Sequence, residues 1–429
     1  MSVVVSAQNF KLTPSSIESE YMVTSRFFIL LRPLVVRTAF INVRYASTKS
    51  SDPLRILFCG SDSFSIASLK ALYKEHVSNP KTIQSIDVVC RPGKKYGRGL
   101  KKIREVPIKA AAAELSLPIH EIDTFTGWTP PSTAGINLII AVSFGLFVPP
   151  RLLNYAKYGG LNVHPSLLPE FRGPAPLHHT LLAGRTTTGV TLQTLDPKSF
   201  DHGVILDQTP SPGFDIPNAE TCSVPQLLDL VSDKSAQMLV QGIRNRVFVP
   251  PLKDVGWISK DSPFARQYAG KITPGERHVD WKNWPSDEII RRQRLIGPVW
   301  GNAIITPSKS EEGVETREIK RLIFKDLEIL EEEGYSGPID LVRVHESNIR
   351  PGTVFIAPTK KPETCIQDIG NDSDKALHVY TLDRKIIQIN EMQVESLKPG
   401  RALIAARKAN ILRKQPGDWS DGVFYGELQ

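Results

Sequence analysis

Leu161-Asn-Val-His-Pro-Ser-Leu-Leu-Pro-Glu-Phe-Arg-Gly-Pro-Ala-Pro176, with Thr188-Gly-Val-Thr-Leu-Gln-Thr-Leu-Asp-Pro-Lys-Ser-Phe-Asp-His-Gly203 behind it, is the stretch around which the chain is arranged. Asn162 and His164 alternate with apolar Leu161 and Val163, so a strand through them carries both polar groups on one face. Pro165, Pro169 and Gly173 follow at once and are hostile to helix. That combination sets the pair at the rim of a sheet, where open α/β folds bind their substrates. Asp201 arrives after a second alternating run.

The residue types suit one chemistry. An Asn amide donates N–H to an oxyanion, a protonated imidazole adds a charged donor, and a carboxylate holds or recharges that imidazole. Together Asn162, His164 and Asp201 fit acyl or formyl transfer. A lone Asn or His near a strand end is ordinarily a hydrogen-bonded structural residue; the weight rests on the three together.

These residues carry a resemblance. Asn162-Val-His164-Pro-Ser-Leu-Leu-Pro169 followed by Phe-Asp201-His-Gly203 resembles the signature of the 10-formyltetrahydrofolate-dependent formyltransferases. Arg172-Gly-Pro-Ala-Pro176 is similar to their methionyl-tRNA branch, and the likeness runs from about Leu54 to about Arg413. The chain departs from that branch at Pro165, where Gly is usual, and at His202, where a small or hydroxyl residue is usual.

The resemblance implies that Asn162, His164 and Asp201 are catalytic. It also implies that 10-formyltetrahydrofolate is the formyl donor, contacted by Ser166, Leu167, Leu168 and Pro169, and that Phe144 and Gly145 line the pteridine pocket. The acceptor it implies is initiator methionyl-tRNA. The alternatives are a formyltransferase for a small amine, of glycinamide ribonucleotide or amino-sugar type, and a formyltetrahydrofolate hydrolase.

A chain of 429 residues exceeds one ordinary core. Its 41% hydrophobic and 23% charged residues place it with soluble globular proteins. The net charge of +8 favours a polyanionic partner. Cys59, Cys90, Cys222 and Cys365 form no C-x-x-C pair, so the expectation is reduced cysteines and metal-free chemistry.

Residues 1–48 read as an address. From Met22 the chain has Arg26, Arg32, Arg37 and Arg44 among apolar residues and no acidic residue before Asp52, a mitochondrial presequence pattern that points to the matrix. Glu18 and Glu20 spoil the pattern upstream, which suggests that residues 1–21 are an extension preceding a start at Met22. Arg32 and Pro33 interrupt the apolar runs well short of the roughly 20 residues that span a bilayer.

Leu54 to Gly60 then reads as a strand and Phe64 to Tyr73 as a helix with apolar residues at 64, 67, 69 and 72. The turn between them has one glycine instead of G-x-G-x-x-G, which removes the main support for a dinucleotide enzyme. After a strand at Ile86 to Cys90 comes a loop with glycines at 93, 97 and 99, read as flexible. Its Arg91, Lys94, Lys95, Arg98, Lys101, Lys102 and Arg104 form an electrostatic footprint for phosphates. Such a run is usually a solvated loop; the resemblance implies that this one engages the tRNA acceptor end.

The expected architecture is an α/β Rossmann-like domain with a predominantly parallel sheet at residues 53–248, a linker at 249–284, and a C-terminal domain at 285–429. The last has short β runs at Trp300 to Thr306, Ile319 to Phe324, Gly352 to Ile356, Leu377 to Leu382 and Lys385 to Val394, which suggest a small antiparallel barrel. The resemblance implies that it is OB-like and helps hold tRNA. A monomer is expected.

Overall fold

The structure is a computed structural model that describes residues 49–259, 267–305, 318–330, 350–358, 375–414 and 424–427. The presequence reading, Cys365 and most of the polar loops of the C-terminal half fall outside them.

The chain opens with β1 (Leu54–Gly60), in which Leu54, Ile56, Leu57, Phe58 and Cys59 are fully buried. A strand apolar on both faces belongs in the middle of a parallel sheet covered on both sides. Helix α1 (Ser63–Ser78) follows, started by Asp62, whose carboxylate accepts the Ser65 N–H at 3.1 Å. β2 (Ile83–Cys90) pairs in parallel with β1.

The basic segment comes next and forms a two-stranded ribbon. β3 (Lys94–Tyr96) and β4 (Lys102–Arg104) pair antiparallel, with Lys94 opposite Arg104 and Tyr96 opposite Lys102. Two of its glycines make the turn: Gly97 and Gly99 have φ of 80° and 72°.

Helix α2 (Pro107–Glu114) starts on a proline, whose missing N–H costs nothing at that position. β5 (Ile119–Glu121), β6 (Leu138–Val142), α3 (Pro150–Tyr155) and β7 (Gly160–His164) follow. Beyond them lie α4 (Pro176–Leu182), β8 (Thr187–Thr188), β9 (Thr191–Thr194), β10 (Ile205–Gln208) and β11 (Phe214–Asp215).

Seven of these strands form one sheet in the order β10-β9-β7-β6-β1-β2-β5. β9 runs antiparallel to β7 and β10 antiparallel to β9, and the other pairings are parallel. The chain steps from β1 to β2 on one side and later to β6 on the other, which opens a crevice beyond the strand ends.

Helix α5 (Val224–Arg244) closes this sheet, begun by a capping box between Ser223 and Gln226. Its Arg244 forks onto Glu75 Oε2 at 3.1 and 2.5 Å, satisfying a carboxylate that α1 buries to 3% exposure.

After α6 (Ser286–Ile296) the chain turns to antiparallel sheet: β12 (Val299–Ile305), β13 (Glu318–Leu330), β14 (Thr353–Pro358), β15 (Lys375–Tyr380), β16 (Ile386–Val394), β17 (Gly400–Arg401), β18 (Arg413–Lys414) and β19 (Phe424–Glu427). Their order, β12-β13-β16-β15-β14-β19-β18 with β17 beside β16, is barrel-like. They bury their own core of Val279, Trp281, Phe324, Val379, Ile389 and Met392, among others. β13 extends six residues past the expected Phe324. A helix spans Ala402–Lys408. No described helix is long and apolar enough to cross a membrane.

Candidate active site

β7 delivers Asn162, half-buried, and His164, 5% exposed, to the rim of the sheet, and Pro165 ends the strand. β9 lies antiparallel against it with Gln193 opposite Asn162 and Thr191 opposite His164. Asp201 sits in the loop between β9 and β10 with φ of 57°, a left-handed conformation that Asp tolerates better than most residues.

Two donors converge on the Asp201 carboxylate, and the His164 ring stands beside it. The Gly173 N–H reaches Oδ2 at 3.0 Å, Gln193 Nε2 reaches Oδ1 at 3.1 Å, and His164 Nδ1 stands 3.4 Å from Oδ1. The imidazole contact is longer than a settled hydrogen bond. At the other edge of the ring, His164 Nε2 lies 2.9 Å from the Phe171 carbonyl. That oxygen only accepts, so Nε2 carries a hydrogen, and a second proton at Nδ1 would be held between the ring and Asp201.

Asn162 is tied in by its own amide. Nδ2 donates to the Ala141 carbonyl at 2.9 Å, and Oδ1 accepts from Gln193 Nε2 at 3.1 Å. One Nδ2 hydrogen is left over. The structure thus brings the three sequence-predicted residues together, Asn162 and Asp201 bridged by Gln193 and His164 standing 3.4 Å from Asp201; of the three, Asp201 is the one on the wall of the adjoining cleft.

A cleft of about 320 Å³ opens beside this network, lined among others by Leu168, Pro169, Arg172, Gln193, Asp201 and Asp254. Arg172 donates from Nε to the Asp201 carbonyl at 2.8 Å. Burial pulls its guanidinium below the ordinary value, against the attraction of the Asp201 charge. Asp207 on β10 is pushed up by burial.

The other expected contacts fall in two groups. Leu168 and Pro169, joined by a cis peptide, line the cleft. Ser166 donates from Oγ to the Glu170 carbonyl at 2.7 Å and is 1% exposed, while Leu167 packs where Gly189 lacks a side chain, so both hold the turn from behind. Phe144 is buried with its ring 5.7 Å from that of Phe125, and neither it nor Gly145 belongs to the cleft wall. Gly145, at φ of 76°, leaves open space where a Cβ would stand.

On the basic ribbon, the Arg104 guanidinium lies 4.8 Å over the Tyr96 ring, and Lys94, Lys95, Arg98, Lys101 and Lys102 face solvent. Arg91 stands 3.9 Å from Asp123. Leu100 and Ile103 are about 60% exposed on the same ribbon. Among the described residues no His, Cys, Asp and Glu cluster could hold a metal ion.

Residues 54–241 match the family model described as formyl transferase. The mitochondrial methionyl-tRNA formyltransferase of Saccharomyces cerevisiae is 30% identical over 338 residues, 70% of this chain and 82% of the yeast protein. The chain belongs to the methionyl-tRNA formyltransferase family. Another member, the methionyl-tRNA formyltransferase of Cereibacter sphaeroides, is 32% identical over 257 residues, 58% of this chain and 76% of that protein. The human mitochondrial methionyl-tRNA formyltransferase is 32% identical over 267 residues, and this chain spans 62% of its length.

For this methionyl-tRNA formyltransferase family member, the sequence left two parts of the site unread. Gln193 is a mid-strand Gln with no motif around it. The segments flanking 260–266 read as a connector, yet Asp254, Gly256 and Ile258 wall the cleft and the stretch after 266 is bonded to the turn behind it. The Val255 N–H donates to the Ile205 carbonyl at 2.9 Å and Trp257 Nε1 to the Thr209 carbonyl at 2.8 Å. Phe171 N–H donates to Gln267 O at 2.8 Å and Ala269 N–H to Arg172 O at 2.7 Å.

Proposed function

We propose that the protein transfers the formyl group of 10-formyltetrahydrofolate to the α-amine of methionyl initiator tRNA, using Asn162, His164 and Asp201, in the mitochondrial matrix. The single observation that carries this is the meeting of the three side chains: Gln193 Nε2 donates to both Asn162 Oδ1 and Asp201 Oδ1, and His164 Nδ1 stands 3.4 Å from that same Asp201 oxygen, which lines the cleft. The chain's membership of the family supplies the acceptor.

The formyl donor is a substrate with a carbonyl to be attacked. The cleft, at about 320 Å³, lies at the small end of the roughly 300–1,000 Å³ that small-molecule sites occupy. Leu168 and Pro169 would touch it directly with Ser166 and Leu167 supporting their turn, and Phe144 and Gly145, away from this cleft, are proposed to contact its pteridine.

The amine nitrogen bonds to the formyl carbon, and the carbonyl oxygen takes up negative charge. Asn162 donates its spare Nδ2 hydrogen to that oxygen. His164 exchanges the neutral Phe171 carbonyl for the oxyanion, a favourable swap because bonds to ionised acceptors are roughly twice as strong. Asp201 holds the imidazolium charge and accepts the proton the amine sheds, directly or through water. As the carbon to N10 bond breaks, that proton passes to N10.

The ribbon residues Arg91, Lys94, Lys95, Arg98, Lys101, Lys102 and Arg104 are proposed to bind the tRNA backbone, with residues 285–429 forming a second tRNA-holding domain beyond the linker 249–284. The matrix assignment rests on the arginine pattern of residues 22–48, which lie outside the described residues, and on mitochondrial relatives. A monomer is proposed.

The test is direct. The purified protein is incubated with methionyl-tRNA and 10-formyltetrahydrofolate labelled in the formyl carbon. Label in acid-precipitable formylmethionyl-tRNA is expected. Label appearing as free formate without acceptor, or on small amines but not on methionyl-tRNA, overturns the proposal.

A further inference from the structure

We infer that Gln193 is a positioning residue that sets the orientation of Asn162 and the place of Asp201 at once. The inference rests on the function just proposed and adds a fourth side chain to it.

Gln193 lies on β9 directly opposite Asn162 and is 1% exposed. Its amide has two hydrogens and one oxygen to place, and each has a partner. Nε2 donates to Asn162 Oδ1 and to Asp201 Oδ1, both at 3.1 Å, and Oε1 accepts the Gly203 N–H at 3.2 Å. No polar atom is spare.

Amide oxygens and nitrogens look alike in shape, so an Asn or Gln is assigned from its neighbours. Here the ends of the chain decide. The Asp201 carboxylate only accepts when ionised and the Gly203 N–H only donates, which fixes Gln193 with Nε2 toward Asp201 and Oε1 toward Gly203. Gln193 then offers a hydrogen to Asn162, so Asn162 must turn Oδ1 toward it. The Ala141 carbonyl asks the same of the other side, taking an Nδ2 hydrogen at 2.9 Å. The remaining Nδ2 hydrogen is the one the reaction uses, and turning the amide over would present an oxygen to the oxyanion.

The same bond reaches the third residue. Asp201 Oδ1 is also the oxygen nearest His164 Nδ1. Gln193 therefore fixes the carboxylate oxygen that faces the imidazole, and through Gly203 it holds the end of the loop that carries Asp201.

The experiment compares steady-state kinetics of the full-length enzyme with Gln193→Met and Gln193→Glu. Met keeps the length and removes every polar contact. A misplacement of about 1 Å in a reacting geometry can cost on the order of 100-fold, and a fall of about 10- to 100-fold in kcat is expected for Q193M, with KM for 10-formyltetrahydrofolate and methionyl-tRNA within about 2-fold. Q193E places one carboxylate against another and is expected to fall further at neutral pH. Lowering the pH should partly restore it relative to wild type, because a protonated Glu again donates a hydrogen. A residue that only fills volume gives near-normal Q193M and no acid recovery in Q193E.

A folded Q193M with kcat within 2-fold of wild type overturns the inference. If Q193M fails to fold, Q193E alone decides, and a pH profile parallel to wild type overturns it. Wild type that formylates methionyl-tRNA alongside an equally active Q193M removes Gln193 and leaves the proposed function standing. Inactive wild type removes the proposed function instead.

Discussion

The Gly173 N–H donates to Asp201 Oδ2 at 3.0 Å, a bond between residues 28 positions apart that locks the loop after β7 to the loop after β9. Gly173 has φ of 119°, and a Cβ there would stand 2.5 Å from the Ala269 carbonyl oxygen. Gly173→Ala thus meets both an unfavourable backbone conformation and a rigid neighbour. It is expected to cost roughly 2 kcal/mol or more in stability, and to depress kcat beyond that by displacing Asp201. Denaturant unfolding beside single-turnover rates checks it; an active, fully stable G173A would show that the loop tolerates a shift.

Asn162→Asp keeps the shape and exchanges the donor for a charged acceptor. A carboxylate at this position faces the Ala141 carbonyl and cannot donate to an oxyanion. Loss of one such donor commonly lowers kcat about 100- to 1,000-fold, and single-turnover formylation should show a fall of at least that size. Equilibrium binding of a non-transferable folate should change little.

Replacing Lys94, Lys95, Lys101 and Lys102 by Gln leaves the Arg104 to Tyr96 contact in place. The ribbon should persist while its charge falls. Methionyl-tRNA affinity is expected to drop, and the slope of log affinity against log salt to flatten by about 0.7–0.9 for each phosphate contact removed. An unaltered slope would place the tRNA elsewhere.

His378 on β15 gives a pH-dependent stability. It is fully buried, its ring stacks 5.6 Å from Phe355, and neither ring nitrogen has a hydrogen-bond partner among the described residues. Burial pushes its pKa down to about 4 from 6.5. The unfolded chain therefore binds a proton that the folded chain refuses between those values. Stability is full above about pH 6.5 and falls as pH drops toward about 4, by about 3 kcal/mol in total. His378→Phe removes the titrating group and two unsatisfied nitrogens, so its stability should vary less with pH over that interval, as measured by chemical denaturation at a series of pH values.

The parts of this molecule legible in the sequence are those with a period or a punctuation mark. Asn162 and His164 share a face because alternation is a property of any strand, and Pro165 ends it. β1 and β6 announce themselves as unbroken apolar runs, and Ser223 with Pro225 marks the start of α5. Gln193 could not be singled out, because its role depends on the β7 to β9 register, which joins residues 31 positions apart. The strand pairing of the basic ribbon was hidden for a related reason. Its glycines favour turns and loops alike, and the pairing of Lys94 with Arg104, with Arg104 laid over Tyr96, shows in the structure alone.

The segments on either side of residues 260–266 are hydrogen-bonded to β10 and to the turn that holds His164 and Arg172. A fragment stopping at residue 248 would therefore forfeit the side of its reaction chamber built by Asp254, Gly256 and Ile258, and the brace that Gln267 and Ala269 give its turn, however well its parallel sheet assembled. Supplying residues 285–429 as a separate polypeptide should not mend that loss, because the missing wall and brace belong to the covalent bridge itself.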